Sequence, residues 1–244
     1  MCILYCEIFL KEKQFENLIY YKPDRYLPQS FLFRKAEAFS GLQTISSGIK
    51  RCGSKPYETL FVNATSYTGL DIEVSGHSHI NEKIDVFYDG KNIPFNDNYF
   101  DNVFCSEVIE HVFNPEESLR EINRVLKRGG KLLLTCPFVW PEHEVPYDYA
   151  RYSSFGITHL LEKNGFEIIQ RVKTGHFAEV ILQQMIFYIF VLLPKKPRIL
   201  YLILHQIFIL PLIVSGVLTN AVLFGKLRRK ELFHNNVILA RKRF

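Results

Sequence analysis

The chain has 244 residues, of which 48% are hydrophobic, and it carries a formal net charge of +5. This length accommodates one α/β domain and one additional element, and so mild a charge gives no indication of a nucleic-acid partner. Five cysteines without a CxxC pair argue against a disulfide scaffold and a zinc site, and favour a reducing environment. The first residues lack the basic and apolar regions of a signal peptide, so we expect a cytoplasmic protein.

The first half of the chain predicts a cover segment followed by three strands. Residues 1–40 mix aromatic and charged side chains and are predicted to cover the domain. Residues 41–53 are poor in strand-forming residues, but their position predicts the first strand of the sheet. Residues 67–72 and 85–89 predict the next two strands, each with an aspartate near its end.

The middle of the chain predicts a strand, a helix and a second strand joined by short connections. The strand is predicted over 101–106, and the helix begins after Asn114, with Pro115 at its first position. The apolar stripe of this helix stops at a turn over 127–130, and residues 131–137 predict the second strand. Such a βαβ unit binds ligands at the carboxyl ends of its strands.

The last third predicts a helix and two strands around a long apolar segment. Ser153 or Ser154 is predicted to cap a helix that runs through Leu161 and ends at Asn164-Gly165. Strands are predicted over 166–172 and 233–240, and no internal repeat is present. The pattern indicates one α/β domain with an insertion near its end.

Five segments in this order resemble the class I S-adenosylmethionine-dependent methyltransferases, and among them the type 11 methyltransferase domain: residues 52–57, 69–71, 89–95, 100–112 and 124–130. The resemblance implies a Rossmann-like sheet flanked by helices, mostly parallel with an antiparallel last strand, and S-adenosylmethionine as cofactor. A hydrophobic helical insertion precedes the last strand. The implied organisation is a cover at 1–40, a core at 41–177, an insertion at 178–226, and the last strand with a basic tail at 227–244.

The resemblance also implies a set of cofactor contacts. Cys52 and Gly53 match the glycine-rich loop that lets the backbone approach the cofactor. Asp71 matches the acid that accepts hydrogen bonds from the ribose hydroxyls, and Asp89 matches the acid near the adenine amino group. The alternative for both aspartates is a turn or cap residue, and for Gly53 an ordinary turn glycine.

Two further contacts are implied at the end of the 101–106 strand. Ser106 and Glu107 match positions that border the methionine part of the cofactor. Glu107 has an alternative as a solvated residue at the start of a helix. His111, four residues later, is expected to be a packed, hydrogen-bonded histidine rather than a catalytic one.

The cofactor loop departs from the family pattern. The loop normally begins with an acid and continues with two spaced glycines, whereas Ile49 and Arg51 occupy the places of the acid and the first glycine. Arg51 adds a cation near a sulfonium cofactor, which is unfavourable. This departure keeps open a non-catalytic, membrane-associated module with a degenerate loop as an alternative function.

The segment 140–152, which follows the 131–137 strand, is rich in titratable side chains and is the predicted acceptor site. His143 is the first choice for a general base because its pKa suits neutral pH, and Asp148 is placed in the same site. Arg151 is expected to hold an anionic group of the acceptor in a bidentate grip. The alternative is a packed lid with aromatic walls. No metal is expected, because no ligand spacing supports one.

The insertion is far more apolar than the rest of the chain. Residues 180–193 and 199–224 carry few polar side chains, and basic clusters lie at 195–198 and 226–230. A single membrane span would separate the last strand from its sheet. We therefore expect either a helical hairpin on the inner face of the membrane, with peripheral attachment, or the buried surface of a homodimer.

The expected function is methyl transfer to a small-molecule, glycan or lipid-linked acceptor. The apolar insertion favours an acceptor that resides at a membrane. A nicotinamide-dependent oxidoreductase is disfavoured, because no GxGxxG loop opens a helix.

Overall fold

The computed structural model describes residues 64, 66–73, 84–192, 200, 204, 207, 208, 211 and 229–244. The predicted cover segment, the predicted strand over 41–53 and the cofactor loop lie outside the described residues. These three features therefore stay predictions.

The described strands are β1 (Leu70–Ile72), β2 (Val86–Tyr88), β3 (Phe100–Ser106), β4 (Leu126–Pro137), β5 (Phe166–Lys173) and β6 (Asn235–Lys242). β1 pairs with β2 in parallel, and the other four strands form a sheet in the order β3-β4-β6-β5. β3 and β4 are parallel, whereas β6 is antiparallel to both β4 and β5. The last strand is thus the antiparallel one, as the sequence predicts, and the fold is a Rossmann-like α/β fold.

Within the described ranges, a 3₁₀ turn (Ile109–His111) and the α-helices α1 (Pro115–Val125), α2 (Ser154–Lys163) and α3 (Phe177–Leu192) accompany these strands. Pro115 begins α1 as predicted, although the side-chain amide of Asn114 donates to Glu117 Oε2 (3.2 Å) and does not cap the helix. The predicted ends of α2 are confirmed. Ser153 Oγ accepts from Gly156 N at 3.1 Å, and Gly165 has a positive φ of 83° after the last turn.

Two strand boundaries differ from the prediction. β4 begins at Leu126, which pairs with Phe100 of β3. The next pair along the two strands is Lys131 with Asn102. Residues 127–130, predicted as a turn, therefore form a bulge within β4. β6 runs two residues later than predicted. Its charged end stays in the sheet because Arg241 pairs with Glu167 across the strands, at 2.7 Å between Nη2 and Oε2.

The apolar stripe predicted on α1 forms part of the core. Leu119, Ile122 and Val125 are fully buried and join one hydrophobic cluster with the inner residues of β3 and β4. This packing holds the carboxyl ends of the parallel strands, and the residues that follow them, in fixed positions.

The described residues fall into two compact units. Residues 64–174 and 235–244 belong to one unit, which contains the sheet, α1 and α2. Residues 175–234 belong to the other, which contains α3 and brackets the predicted insertion at 178–226.

Arg124, at the end of α1, braces the connection between β2 and β3. Its Nε and Nη2 donate to Glu121, Nη1 donates to Phe95 O and Asp97 Oδ1, and Nη2 also donates to Ile93 O, each at 2.8 Å. All five N–H groups of the guanidinium are therefore used. The hydrogen bonds that Arg124 donates to Glu121 and Asp97 raise the pKa of its guanidinium above the ordinary value.

We expect Arg124→Ala to lower the free energy of unfolding by about 2 kcal/mol, because two backbone carbonyls and two carboxylates lose their donor. Arg120→Ala is the matched control. Arg120 lies on the same helix, is exposed and makes one salt bridge to Glu116 at 3.2 Å, so its loss should cost less than about 0.5 kcal/mol. Equal denaturation midpoints for the two variants would contradict the bracing role.

Candidate functional site

The two aspartates predicted to contact the cofactor lie at the ends of β1 and β2. Asp71 is fully buried, and its Oδ1 accepts from the backbone N of Ile72 at 2.8 Å. Asp89 is exposed, and its Oδ1 accepts from the backbone N of Lys91 and Asn92, both at 2.8 Å. The N–H donors of Asn92 and Lys91 lower the pKa of Asp89, which shapes the turn after β2.

Ser106 and Glu107, at the end of β3, belong to a hydrogen-bond network. Thr135 Oγ1 donates to Glu107 Oε1 at 2.7 Å, so Ser106 Oγ, 2.9 Å away, donates to Thr135. Asn235 Nδ2 lies 2.8 Å from both carboxylate oxygens of Glu107. The network joins the ends of three neighbouring strands, β3, β4 and β6, and holds Glu107 in an uncommon backbone conformation with φ of +52°.

The described residues on the cofactor side fit the implied S-adenosylmethionine. A buried carboxylate such as that of Asp71 requires hydrogen-bond donors, and ribose hydroxyls are donors. A carboxylate has about four acceptor positions, a number that accommodates both the bond from Ile72 and two ribose hydroxyls. Cys52, Gly53 and Arg51 lie outside the described residues, and the loop assignment stays a prediction.

The predicted acceptor segment, 140–152, is anchored beside the 3₁₀ turn that follows β3. The backbone N of Tyr149 and Ala150 donate to Glu110 O at 2.8 and 3.2 Å. Tyr152 O accepts from Asn236 Nδ2 at 2.8 Å. Burial, with the nearby Cys136 and Glu110, raises the pKa of Tyr152 to about 12, so its phenol stays protonated at neutral pH.

Asp148 and Arg151 form a bidentate pair inside this segment. The two Nη atoms lie 2.5 and 2.6 Å from the two carboxylate oxygens. Burial opposes the charge of Asp148, but the bonds from Arg151 and from His143 N outweigh it and lower the pKa of the carboxyl. Arg151 also donates to three backbone carbonyls, those of Trp140, Pro141 and Ala150. Its five N–H groups are all used, so the expected grip on an acceptor requires breaking one of these bonds.

His143, in the segment 140–152, faces His111 of the 3₁₀ turn. Their Nε2 atoms are 3.1 Å apart, and the rings meet edge to face with centroids 4.7 Å apart. Asp148 positions His143 by accepting from its backbone N at 2.9 Å. The structure therefore brings His143, Asp148 and Arg151 together, as the sequence predicts, and adds His111, which was expected to be a packed residue.

The sequence prediction missed three further residues at this edge of the sheet. Thr135 and Asn235 hold the carboxylate of Glu107, and Glu110 is fully buried next to His111, with 3.7 Å between its Oε1 and Nε2 of the histidine. Glu110 and His111 are adjacent in the sequence and follow a strand end, which is a usable signal. Asn235 is 128 residues from Glu107, and no local pattern links the two.

Comparison with known proteins agrees with the resemblance. A family model described as a methyltransferase domain matches residues 52–134. Over 53 residues the chain is 45% identical to the ubiquinone/menaquinone biosynthesis C-methyltransferase UbiE of Shewanella oneidensis, covering 22% of this chain and 21% of that protein. It is 34% identical over 83 residues to UbiE of Chromobacterium violaceum, covering 34% of each protein. The matches thus span a fifth to a third of these curated relatives.

Solved structures share the fold at low sequence identity. The [4+2]-cyclase SpnF is 18% identical with a TM-score of 0.50, and the alignment covers 87% of this chain and 80% of that chain. Phosphoethanolamine N-methyltransferase 2 of Haemonchus contortus, solved with phosphomonomethylethanolamine and S-adenosylhomocysteine, is 19% identical with a TM-score of 0.51. That alignment covers 90% of this chain and 54% of the other.

The cyclase among these neighbours illustrates that a shared fold does not determine the reaction. The family assignment rests instead on the matched family model together with the ordered strand-end residues and the shared fold. On these grounds residues 52–134 match the methyltransferase domain family, and the chain has the fold of the class I S-adenosylmethionine-dependent methyltransferases.

Proposed function

We propose that this protein transfers a methyl group from S-adenosylmethionine to a hydroxyl or amine of a small-molecule, glycan or lipid-linked acceptor at a membrane surface. The observation that carries the proposal is the pairing of two features at strand ends. Buried Asp71 lies in the short strand β1, and the histidine-containing segment 140–152 follows β4. The first suits a ribose, and the second supplies groups that can take a proton.

When bound, S-adenosylmethionine would supply a methyl group on a sulfonium for in-line transfer to the acceptor atom. The chain's own residues then have three tasks, which are to hold the two reactants, exclude water and accept a proton. The His111–His143 pair is the candidate for proton acceptance, since a neutral imidazole has a nitrogen lone pair that can take a proton. Asp148 and Arg151 keep His143 in place through the bidentate pair described above.

Production of S-adenosylhomocysteine by the purified full-length chain tests this function. Acceptor candidates are supplied as a water-soluble extract and as a solvent-extracted lipid fraction from the same cells. Turnover that depends on the lipid fraction supports a membrane-borne acceptor, and turnover with the soluble extract alone overturns that part. A chain that binds the donor but turns over with neither fraction favours the non-catalytic alternative.

The exposed face of α3 supports attachment to a membrane. Large apolar side chains at helical spacing are 44–65% exposed along this face: Phe177, Ile181, Met185, Tyr188 and Leu192. A stripe of this kind lies in an interface when basic residues flank it, as they do at 195–198 and 226–230. Among the described residues, no helix combines the length and apolarity that a membrane crossing requires.

We expect Tyr188→Glu to weaken binding to vesicles with anionic lipids at least tenfold. An aromatic side chain that becomes buried in the lipid contributes about 2 kcal/mol or more to the free energy of binding. Gln183→Glu, which adds the same charge to the same helix at a polar position, is the control. High salt should release the wild-type chain from vesicles only in part, and detergent should release it fully. Deletion of 178–226 should give a soluble product. A full-length chain that is soluble and monomeric without lipid or detergent would exclude both the membrane and the homodimer versions.

A further inference from the structure

Two histidines, His111 after β3 and His143 after β4, each have a backbone carbonyl oxygen near Nδ1. Nδ1 of His111 lies 2.8 Å from Tyr147 O. A carbonyl oxygen only accepts, so Nδ1 carries the hydrogen and Nε2 of the neutral ring carries a lone pair.

The surroundings of His143 accommodate the same tautomer. Its Nδ1 lies 3.2 Å from Pro141 O and 3.2 Å from Asp148 Oδ2, and both atoms are acceptors. Arg151 Nη2 is 3.3 Å from the same nitrogen and also donates to Asp148 Oδ2 at 2.6 Å and to Pro141 O at 3.0 Å. With the hydrogen on Nδ1, Nε2 of His143 also presents a lone pair.

In the tautomer with hydrogen on both Nδ1 atoms, the two Nε2 atoms, 3.1 Å apart, both present lone pairs to a cation between them. With hydrogen on one Nε2, the two rings form a hydrogen bond instead. Two nitrogens that bind one ion at about 2.05 Å are about 3.3 Å apart in tetrahedral geometry and about 2.9 Å apart at a right angle. The observed separation lies between these values and therefore matches that of two imidazoles bound to one ion.

A carboxylate completes the cluster. One ligand-type atom each from Glu110, His111 and His143 lie within 4.8 Å of one another. Glu110 is fully buried, and a cation bound there would stabilise the charged form of its carboxylate. Oε2 of Glu144 lies 3.8 Å from Nε2 of His111, which adds a second acid beside the same ring.

We propose that Glu110, His111 and His143 bind a divalent first-row transition metal. Two imidazoles and one carboxylate suit such ions, and three protein ligands leave coordination positions open, as in catalytic rather than structural sites. Tyr147 O accepts from Nδ1 of His111, and Asp148 Oδ2 lies 3.2 Å from Nδ1 of His143, so both groups orient the rings. The ligands come from two segments that are 32 residues apart, which is why spacing along the chain predicted no metal.

A bound metal ion would give the site a role other than proton acceptance by His111 and His143. With an ion bound at Nε2, neither histidine would accept the proton. Resting on the proposed methyl transfer, the ion would instead hold the acceptor's oxygen or nitrogen in an open position and lower the pKa of its proton, which would pass to solvent water. This consequence depends on the proposed function, whereas the metal site itself does not.

Zinc binding by the full-length chain tests the proposal. The protein is stripped with a chelator, titrated with Zn²⁺ in a calorimeter and analysed for bound metal, and the Co²⁺-loaded form is examined for visible absorption. We expect one ion per chain, and at least tenfold weaker binding in His143→Ala and Glu110→Gln. His159→Ala, which removes an exposed histidine of α2, should bind as the wild type does.

Circular dichroism establishes that each variant is folded, and His143→Gln replaces His143→Ala if the latter does not fold. Absence of stoichiometric zinc from the folded wild type overturns the proposal and leaves a shared proton between the two rings. Equal affinity in His143→Ala also overturns it. Titration of the chelated protein with S-adenosylmethionine is a separate measurement, so a failed metal site and a failed donor site are distinguishable.

Discussion

Glu107→Ala is expected to lower the free energy of unfolding by about 3 kcal/mol, measured by denaturant unfolding. The carboxylate is almost fully buried, at 5% exposure, and it accepts from Thr135 on β4 and from Asn235 on β6. Its removal leaves a hydroxyl and an amide without their charged acceptor. Hydrogen bonds to charged groups contribute about 1.5–3 kcal/mol each, and the losses are not fully additive.

Two further variants separate the network from the backbone. Glu107→Gly should be more stable than Glu107→Ala by up to about 1 kcal/mol, since glycine adopts the observed φ of +52° without strain. Glu162→Ala, at an exposed acid of α2, should change stability by less than about 0.5 kcal/mol. If Glu107→Ala unfolds at the same denaturant concentration as Glu162→Ala, the network does not join the strands as described.

Asp71→Ala is expected to weaken the binding of S-adenosylmethionine or S-adenosylhomocysteine at least tenfold, about 1.4 kcal/mol or more. The physical reason is the loss of a buried carboxylate that accepts from two ribose hydroxyls. Calorimetric titration of the variant against the wild type measures the effect.

The matched control for Asp71 is Asp101→Ala. Asp101 lies near the start of β3, away from the carboxyl ends of the strands, and makes a surface salt bridge of 2.8 Å to Lys127. Its removal should leave the affinity for the methyl donor unchanged. An unchanged affinity in Asp71→Ala would reject the assignment of this acid to the ribose.

The parts of the fold that the sequence predicted correctly are those with strong local signals. The buried stripe of Leu119, Ile122 and Val125 on α1 has helical spacing, and α2 carries a serine cap and a terminal glycine. The bulge inside β4 was missed because a Gly-Gly pair after a helix is typical of a turn. The boundary of β6 was missed because its last residues are charged, and only the pairing of Arg241 with Glu167 keeps them in the strand.

The candidate site was predictable where one segment carries it. The positions of His143, Asp148 and Arg151 within 140–152 suggested a shared site, and the structure places them in contact. The partner of His143 could not be predicted, because His111 lies 32 residues earlier and meets it only through the fold. The sequence also could not predict that all five N–H groups of Arg151 are bonded within the protein. Several of their partners are backbone carbonyls, whose direction depends on the fold.

Titration of the full-length wild-type chain with S-adenosylmethionine tests the central claim most directly. We predict saturable binding with one donor molecule per chain, weakened in Asp71→Ala and unchanged in Asp101→Ala. Arg51→Gly should tighten this binding if the arginine obstructs the loop. A folded wild-type chain that shows no saturable binding of either S-adenosylmethionine or S-adenosylhomocysteine would contradict the account and leave the non-catalytic module as its function.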